Sequence, residues 1–281
     1  MAYQRILTIQ DISCVGQCSL TVALPILSAC GLETAILPSA VLSTHTAGFN
    51  GFTFADLTEE FPKINSHWKK EGIKFAAVYT GYLGNEAQIK YVKDIVRDCL
   101  EEGGKFIVDP AMADYGKLYP PFTQEYVDAM KTLCFDERTD IILPNITEAA
   151  YLADIDYKED YDKDYIDALV KALHDKGAKT VVLTGVSYAK DRTGVLVSEN
   201  GSSEYYEHFH YEQGCHGTGD VYASAFVGAY TKGKRAFEAA KIAADYTLRC
   251  IEATQKDREK HWYGVEFEPE LPELVKAIGL L

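Results

Sequence analysis

The sequence predicts an α/β fold in which a mostly parallel sheet is covered by helices on both faces. Three observations carry that prediction. Short, nearly unbroken apolar runs recur along the chain, among them "FAAVYTG" (75–81), "KFIVDP" (105–110) and "TVVLTG" (180–185). Between such runs lie segments whose apolar residues return every three or four positions, as in "DKDYIDALVKALHDKG" (162–177). Each run stops at a polar or glycine-bearing loop. A strand buried on both faces has no cause to alternate apolar with polar, and a helix lying on a sheet needs one apolar stripe.

Taken in order, "RILTIQ" (5–10) reads as the first strand and "SLTVALPILSAC" (19–30) as an apolar helix. "TAILPSAVLS" (34–43) reads as extended chain interrupted by Pro38, and 75–81 as a strand. "NEAQIKYVKDIVRDCLEEGG" (85–104) has the pattern of an amphipathic helix closed by its two glycines. Residues 105–110, 139–145 and 180–185 read as further buried strands, with helices over 123–135 and 162–177. "TGVLVSENGSSEYYEHFHY" (193–211) reads as an antiparallel hairpin near one edge, and the chain after 216 is almost all helix. No repeat, linker or low-complexity stretch interrupts this rhythm, so residues 1–281 read as a single domain.

Composition narrows the function classes. A formal net charge of −14 argues against general affinity for nucleic acid or an anionic membrane, though not against a small anionic ligand in a local site. Seven scattered cysteines without a CxxC pair suggest reduced thiols and a cytoplasmic protein. "MAYQRILTIQ" lacks the pattern of a signal peptide, and no window has the apolar length of a membrane span. GxxxxGK[ST], GxGxxG after the first strand, HExxH and GxSxG are absent, which weakens P-loop, Rossmann, zinc-peptidase and α/β-hydrolase readings. His208 and His210 share a face of an extended segment, as surface or packing residues.

Open parallel sheets bind ligands outside the carboxyl ends of their strands. The polar residues at those ends are Asp11, Thr80-Gly81, Asp109-Pro110, Asn145 and Thr184-Gly185. "GCHGTGD" (214–220) adds a further feature at the mouth of a helix. Gly217 and Gly219 free the backbone around Thr218 to turn successive N–H groups into one concavity, and the helix terminus adds its positive end. Asp220 then stands in the first turn, where the helix dipole would keep it ionised and able to accept a hydroxyl proton. The plainer reading is a turn and a helix cap. "PNITEAAYL" (144–152) is likewise open: Asn145 and Glu148 form a capping box, or they organise Mg²⁺ at a strand end. "SAVLSTHTAGFNGFTF" (39–54) offers hydroxyls, His45 and three phenylalanines, which suits a flat polar heterocycle or a well-packed loop.

"GTGD" before a late helix, "NITE" after a buried strand, "DPAM" at the preceding strand end and "TG" at 184–185 together resemble the ribokinase superfamily. Within it, "VLSTHT" (41–46), "YTGYLG" (79–84) and "DPAMADYGKLY" (109–119) resemble the pyridoxal/pyridoxamine kinases, in order and over nearly the whole chain. The resemblance implies a ribokinase-like three-layer sandwich and an ATP-dependent kinase acting on the 5′-hydroxymethyl group of B6 vitamers. It implies Asp220 as catalytic base and the backbone of Gly217, Thr218 and Gly219 as an anion hole. Asn145 and Glu148, helped by Asp109, would organise Mg²⁺ on ATP, and Thr184-Gly185 would meet the nucleotide phosphates. Tyr82 with Thr44 and His45 would line the pyridine site. The family is usually dimeric, a homodimer, and often uses K⁺ beside Mg²⁺. One departure stands out. Many pyridoxal kinases carry Gln-Ser at the end of the first strand, whereas "IQDIS" puts Asp11 at that serine, with Ser13 two residues on. The rival readings are a hydroxymethylpyrimidine or sugar kinase, and a non-catalytic vitamin- or nucleotide-binding protein.

Overall fold

The apolar runs become the interior of one sheet, and the chain between them wraps both sides. The computed structural model describes residues 4–211 and 214–281. Its elements begin β1 (Arg5–Ser13), α1 (Leu20–Ala29), β2 (Glu33–Leu42), β3 (Phe54–Asp56), α2 (Phe61–Glu71), β4 (Phe75–Thr80), α3 (Glu86–Cys99) and β5 (Leu100–Val108). A small hairpin follows, β6 (Ala113–Asp114) with β7 (Lys117–Leu118), then α4 (Gln124–Cys134), β8 (Ile141–Ile142), α5 (Ile146–Ala153) and α6 (Lys163–Asp175). The chain continues through β9 (Thr180–Ala189), β10 (Arg192–Glu199) and β11 (Ser202–Phe209) to α7 (Thr218–Thr231), α8 (Ala236–Gln255) and α9 (Leu271–Ala277).

The main sheet runs β11-β10-β9-β8-β5-β4-β1-β2-β3. From β9 to β2 every pairing is parallel, and both edges are antiparallel. The expected hairpin at 193–211 forms one edge as β10 and β11. On one face α2 to α6 pack through Phe61, Val92, Tyr126, Leu152 and Leu169; on the other α1, α7, α8 and α9 pack through Val22, Phe226, Ala240 and Leu274. Each large apolar side chain so buried contributes about 1.5–3 kcal/mol. The fold is therefore the predicted three-layer α/β sandwich. Among the described residues no helix is long and apolar enough to cross a membrane.

Two local departures have clear causes. The helix predicted over 85–104 ends at Cys99, because Leu100 turns extended and pairs with Phe75. Gly103, at φ 75, and Gly104 then sit in a bulge of β5 rather than closing a helix. A second irregularity lies at the site: between Gln10 and Ile12 of β1 the partner advances from Pro38 to Val41, so Asp11 alone opposes Ser39 and Ala40. Pro38 brings no N–H to the ladder, which suits a strand that shifts register immediately after it.

Candidate active site

Strand order reverses at β1, whose neighbours β2 and β4 lead off in opposite directions, and a sheet opens a crevice at such a point. The polar residues at the strand ends converge there. Asp109 N–H donates to the Thr80 carbonyl at 3.0 Å and Gly81 N–H to Ile9 at 3.1 Å, which locks the ends of β1, β4 and β5 together. Thr184 N–H donates to the Pro144 carbonyl at 3.0 Å, fastening β9 to the start of α5.

At α5 the capping reading holds in full. The Glu148 N–H donates to Asn145 Oδ1 at 2.9 Å, while Asn145 N–H donates to Glu148 Oε2 at 2.9 Å. The other carboxylate oxygen, Oε1, accepts from Met112 N–H at 2.9 Å, and Asn145 Nδ2 donates to the Ala113 carbonyl at 2.8 Å. The pair thus ties the "DPAM" loop to a helix terminus. Glu148 is only 2 % exposed, and burial lifts its pKa to about 7 against the pull of those amides. Asp109 offers one oxygen to Ala111 N–H at 3.1 Å; burial first, then Glu148 and Asp220, push its carboxyl well above the usual range. The charges of Glu148 and Asp220 thus oppose ionisation of Asp109, and among the described residues no three acidic, histidine or cysteine side chains are grouped so as to hold a metal ion by themselves.

The α7 terminus shows why glycine stands there. Gly217 adopts φ 83, and a Cβ on it would lie 1.7 Å from the Gln17 carbonyl oxygen. Gly219, in contrast, faces open space, where an added Cβ would meet nothing within 4 Å. The first-turn N–H groups of Thr218, Gly219 and Asp220 have no intrahelical carbonyl to bond. Asp220 departs from expectation. Burial, reinforced by Asp11, lifts its carboxyl to about 7 despite the Ser19 backbone N–H that favours the charge, so desolvation outweighs the dipole. Cys215 likewise keeps a raised thiol pKa through burial, with none of the lowering a helix terminus can give.

Asp11 is 5 % exposed and accepts from Ser13 Oγ at 3.0 Å, so Ser13 does share its side of the strand. Ser19 also contacts it and holds φ 51, a sparsely populated conformation for a non-glycine residue. Ser19 therefore joins Asp11, through its hydroxyl, to Asp220, through its N–H. Tyr82 lies close enough to Asp11 to feel its charge, with its ring 5.5 Å from Phe122 and its pKa raised to about 12 mainly by burial. Thr44 Oγ1 is buried without a partner and free to meet a ligand. His45 is not: Nδ1 accepts from Ala47 N–H at 3.1 Å and Nε2 bonds the Tyr263 carbonyl. The ring can line the site but has no free nitrogen to offer. Ser19 and the 261–265 segment that grips His45 escaped the sequence reading. Ser19 stood only as the first residue of the apolar helix expected over 19–30, and nothing local links Tyr263 to a loop near residue 45.

The family model of phosphomethylpyrimidine kinase matches residues 27–264. The chain belongs to that family. Among solved structures, a Bacteroides thetaiotaomicron protein provisionally assigned as a phosphomethylpyrimidine kinase, in a crystal form with pyridoxal, is 35% identical. It superposes with TM-score 0.88 over 97% of this chain and 96% of its own. The pyridoxal kinase of Lactobacillus plantarum is 29% identical, with TM-score 0.89 over 98% of both chains. A Caenorhabditis elegans protein provisionally assigned as a pyridoxal kinase is 33% identical over 161 residues, 54% of this chain and 48% of that relative's length. The family is one of kinases, so the chain is an ATP-dependent phosphotransferase.

Proposed function

We propose that this kinase transfers the γ-phosphoryl group of ATP to the 5′-hydroxymethyl group of a B6 vitamer. The observation that carries the reading is the juxtaposition of Asp220, at the mouth of α7, with Asp11, which Ser19 joins to it and beside which Tyr82 lies. A relative crystallised with pyridoxal, 35% identical over almost the whole chain, supports a pyridine as the occupant. The family model's description favours a hydroxymethylpyrimidine as the second candidate.

In this reading residues 1–281 act as one catalytic domain, and the substrate hydroxyl lies beside Asp220. An acid poised near neutrality suits a general base, because it can be ionised before the reaction and hold a proton after it. The unbonded N–H groups of Thr218 and Gly219 point where negative charge builds on the transferred group, and the open space above Gly219 lets it approach the backbone. Thr184 and Gly185 border the nucleotide phosphates. Asp109 would hold Mg²⁺, with Glu148 and Asn145 fixing its loop; the ion would neutralise phosphate charge that these acids cannot. Thr44 and Ser13 complete the ring contacts, and His45, its ring fixed by Ala47 and Tyr263, lines the site without donating to the ligand or accepting from it.

The same reading carries K⁺ beside Mg²⁺, a homodimer and a cytoplasmic location. The exposed Phe52 and Phe54 at the β3 edge support a second copy as partner, and seven free cysteines support a reducing compartment. The test is Asp220→Asn assayed with ATP and pyridoxal. Loss of a general base should lower kcat by about 10²–10⁴-fold, and turnover near the wild-type rate removes Asp220 from the mechanism.

A further inference from the structure

On the strength of the function proposed above, we propose that Asp11 selects substrates carrying a protonated nitrogen, pairing its carboxylate with that N–H⁺. The register shift between β1 and β2 isolates Asp11 opposite two residues, a distortion suited to re-aiming a side chain at a strand end. The side chain is 5 % exposed, yet among the described residues its donors are the Ser13 and Ser19 hydroxyls and its own backbone N–H, with no lysine or arginine beside it. A buried carboxylate held by neutral donors alone is under-compensated.

The groups facing it supply no standing positive charge near pH 7. They are Cys18 from the loop after β1, His45 from the loop after β2, Tyr82 from the loop after β4 and Asp220 from α7. Burial raises the Cys18 thiol and takes Tyr82 to about 12, so both are neutral near pH 7. His45 is pushed below its ordinary value by burial, and its Nδ1 accepts from Ala47, so it too is neutral. Asp220 adds a second acid. Burial raises the Asp11 carboxyl, and a cationic ligand group beside it would restore its charge and bind through it. Two nitrogens of B6 vitamers qualify: the ring nitrogen common to all of them, and the aminomethyl ammonium that pyridoxamine alone carries.

The experiment compares wild type, Asp11→Asn and Asp11→Ser with Mg²⁺·ATP and each of pyridoxal, pyridoxine and pyridoxamine. Asparagine matches aspartate in size and can still accept from Ser13 while removing the charge. Loss of a charge-assisted hydrogen bond should lower kcat/KM by roughly 10–100-fold, through the vitamer's KM and with the KM for ATP unmoved. A loss confined to pyridoxamine assigns the ammonium, and an equal loss for all three assigns the ring nitrogen. Calorimetric titration of each variant with pyridoxamine, without ATP, should weaken in parallel. An active wild type whose vitamer KM values and affinities survive both substitutions overturns this inference alone. A wild type that phosphorylates no B6 vitamer overturns the proposed function, and this inference with it.

Discussion

Asp220→Asn should stabilise the protein while disabling it. The carboxyl ordinarily titrates at 3.8 and in the fold titrates at about 7. Because the folded value is raised, the fold favours the protonated acid. As pH rises from about 4 to about 7, the unfolded chain releases this proton and the folded chain retains it, so stability falls across that window. Above pH 7 the penalty is complete. At about 1.4 kcal/mol per pH unit the window corresponds to about 4 kcal/mol at most. Asp220 retains partial access to water, so about 1–3 kcal/mol is the expected gain from a neutral residue. Asparagine can still accept from the Ser19 N–H, which limits other losses. For a chain of this size that gain raises Tm by roughly 2–5 °C at pH 8, and by less at pH 5, where much of the folded acid's penalty has not yet developed. Differential scanning calorimetry at the two pH values decides it. A variant that melts no higher than wild type at pH 8, or gains equally at both, refutes the assignment of a desolvated acid at this position.

Three further substitutions probe the backbone and the loop anchor. Gly217→Ala forces a Cβ against the Gln17 carbonyl at a positive φ, so the anion-binding turn must shift; kcat should fall by about 10²–10³-fold, whereas Gly219→Ala should leave the melting temperature unchanged. Equal behaviour of the two in kinetics and melting would contradict the geometry. Glu148→Gln leaves either Asn145 or Met112 N–H facing an amide that cannot accept from both, which should cost about 1–3 kcal/mol in a thermal melt and raise the Mg²⁺ needed for half-maximal rate. Unchanged values of both would remove Glu148 from the loop anchor.

The parts legible in the sequence are those set by neighbours along the chain. Asp109, Asn145 and Thr184 follow unbroken apolar runs, and Asp220 follows glycines at a helix start, so each was placed at a strand or helix end. At Asn145 and Glu148 the capping pattern was legible, and the Glu148 carboxylate that caps α5 also fixes the 112–113 loop, which the sequence does not announce. What was not legible depends on distant packing. Leu100 left its helix to pair with Phe75, and no local pattern announces that choice. Helix α2 escaped although Phe61, Ile64 and Trp68 recur at helical spacing and pack on one core; only Phe61 is fully buried, and polar residues and Pro62 fill the rest. His45 looked available for a substrate until Tyr263, brought back from the far end of the chain, was found bonded to it. Burial, which sets the acids' titration, is likewise a tertiary quantity.

The central claim is the identity of the acceptor. Purified protein with Mg²⁺·ATP should be offered pyridoxal, pyridoxine, pyridoxamine and hydroxymethylpyrimidine in parallel, with product identified by mass spectrometry. The account predicts a product heavier by one phosphoryl group at the hydroxymethyl position of at least one B6 vitamer, at the higher kcat/KM, and its loss in Asp220→Asn. Phosphorylation of hydroxymethylpyrimidine alone would contradict it and move the chain to the other substrate class of its family.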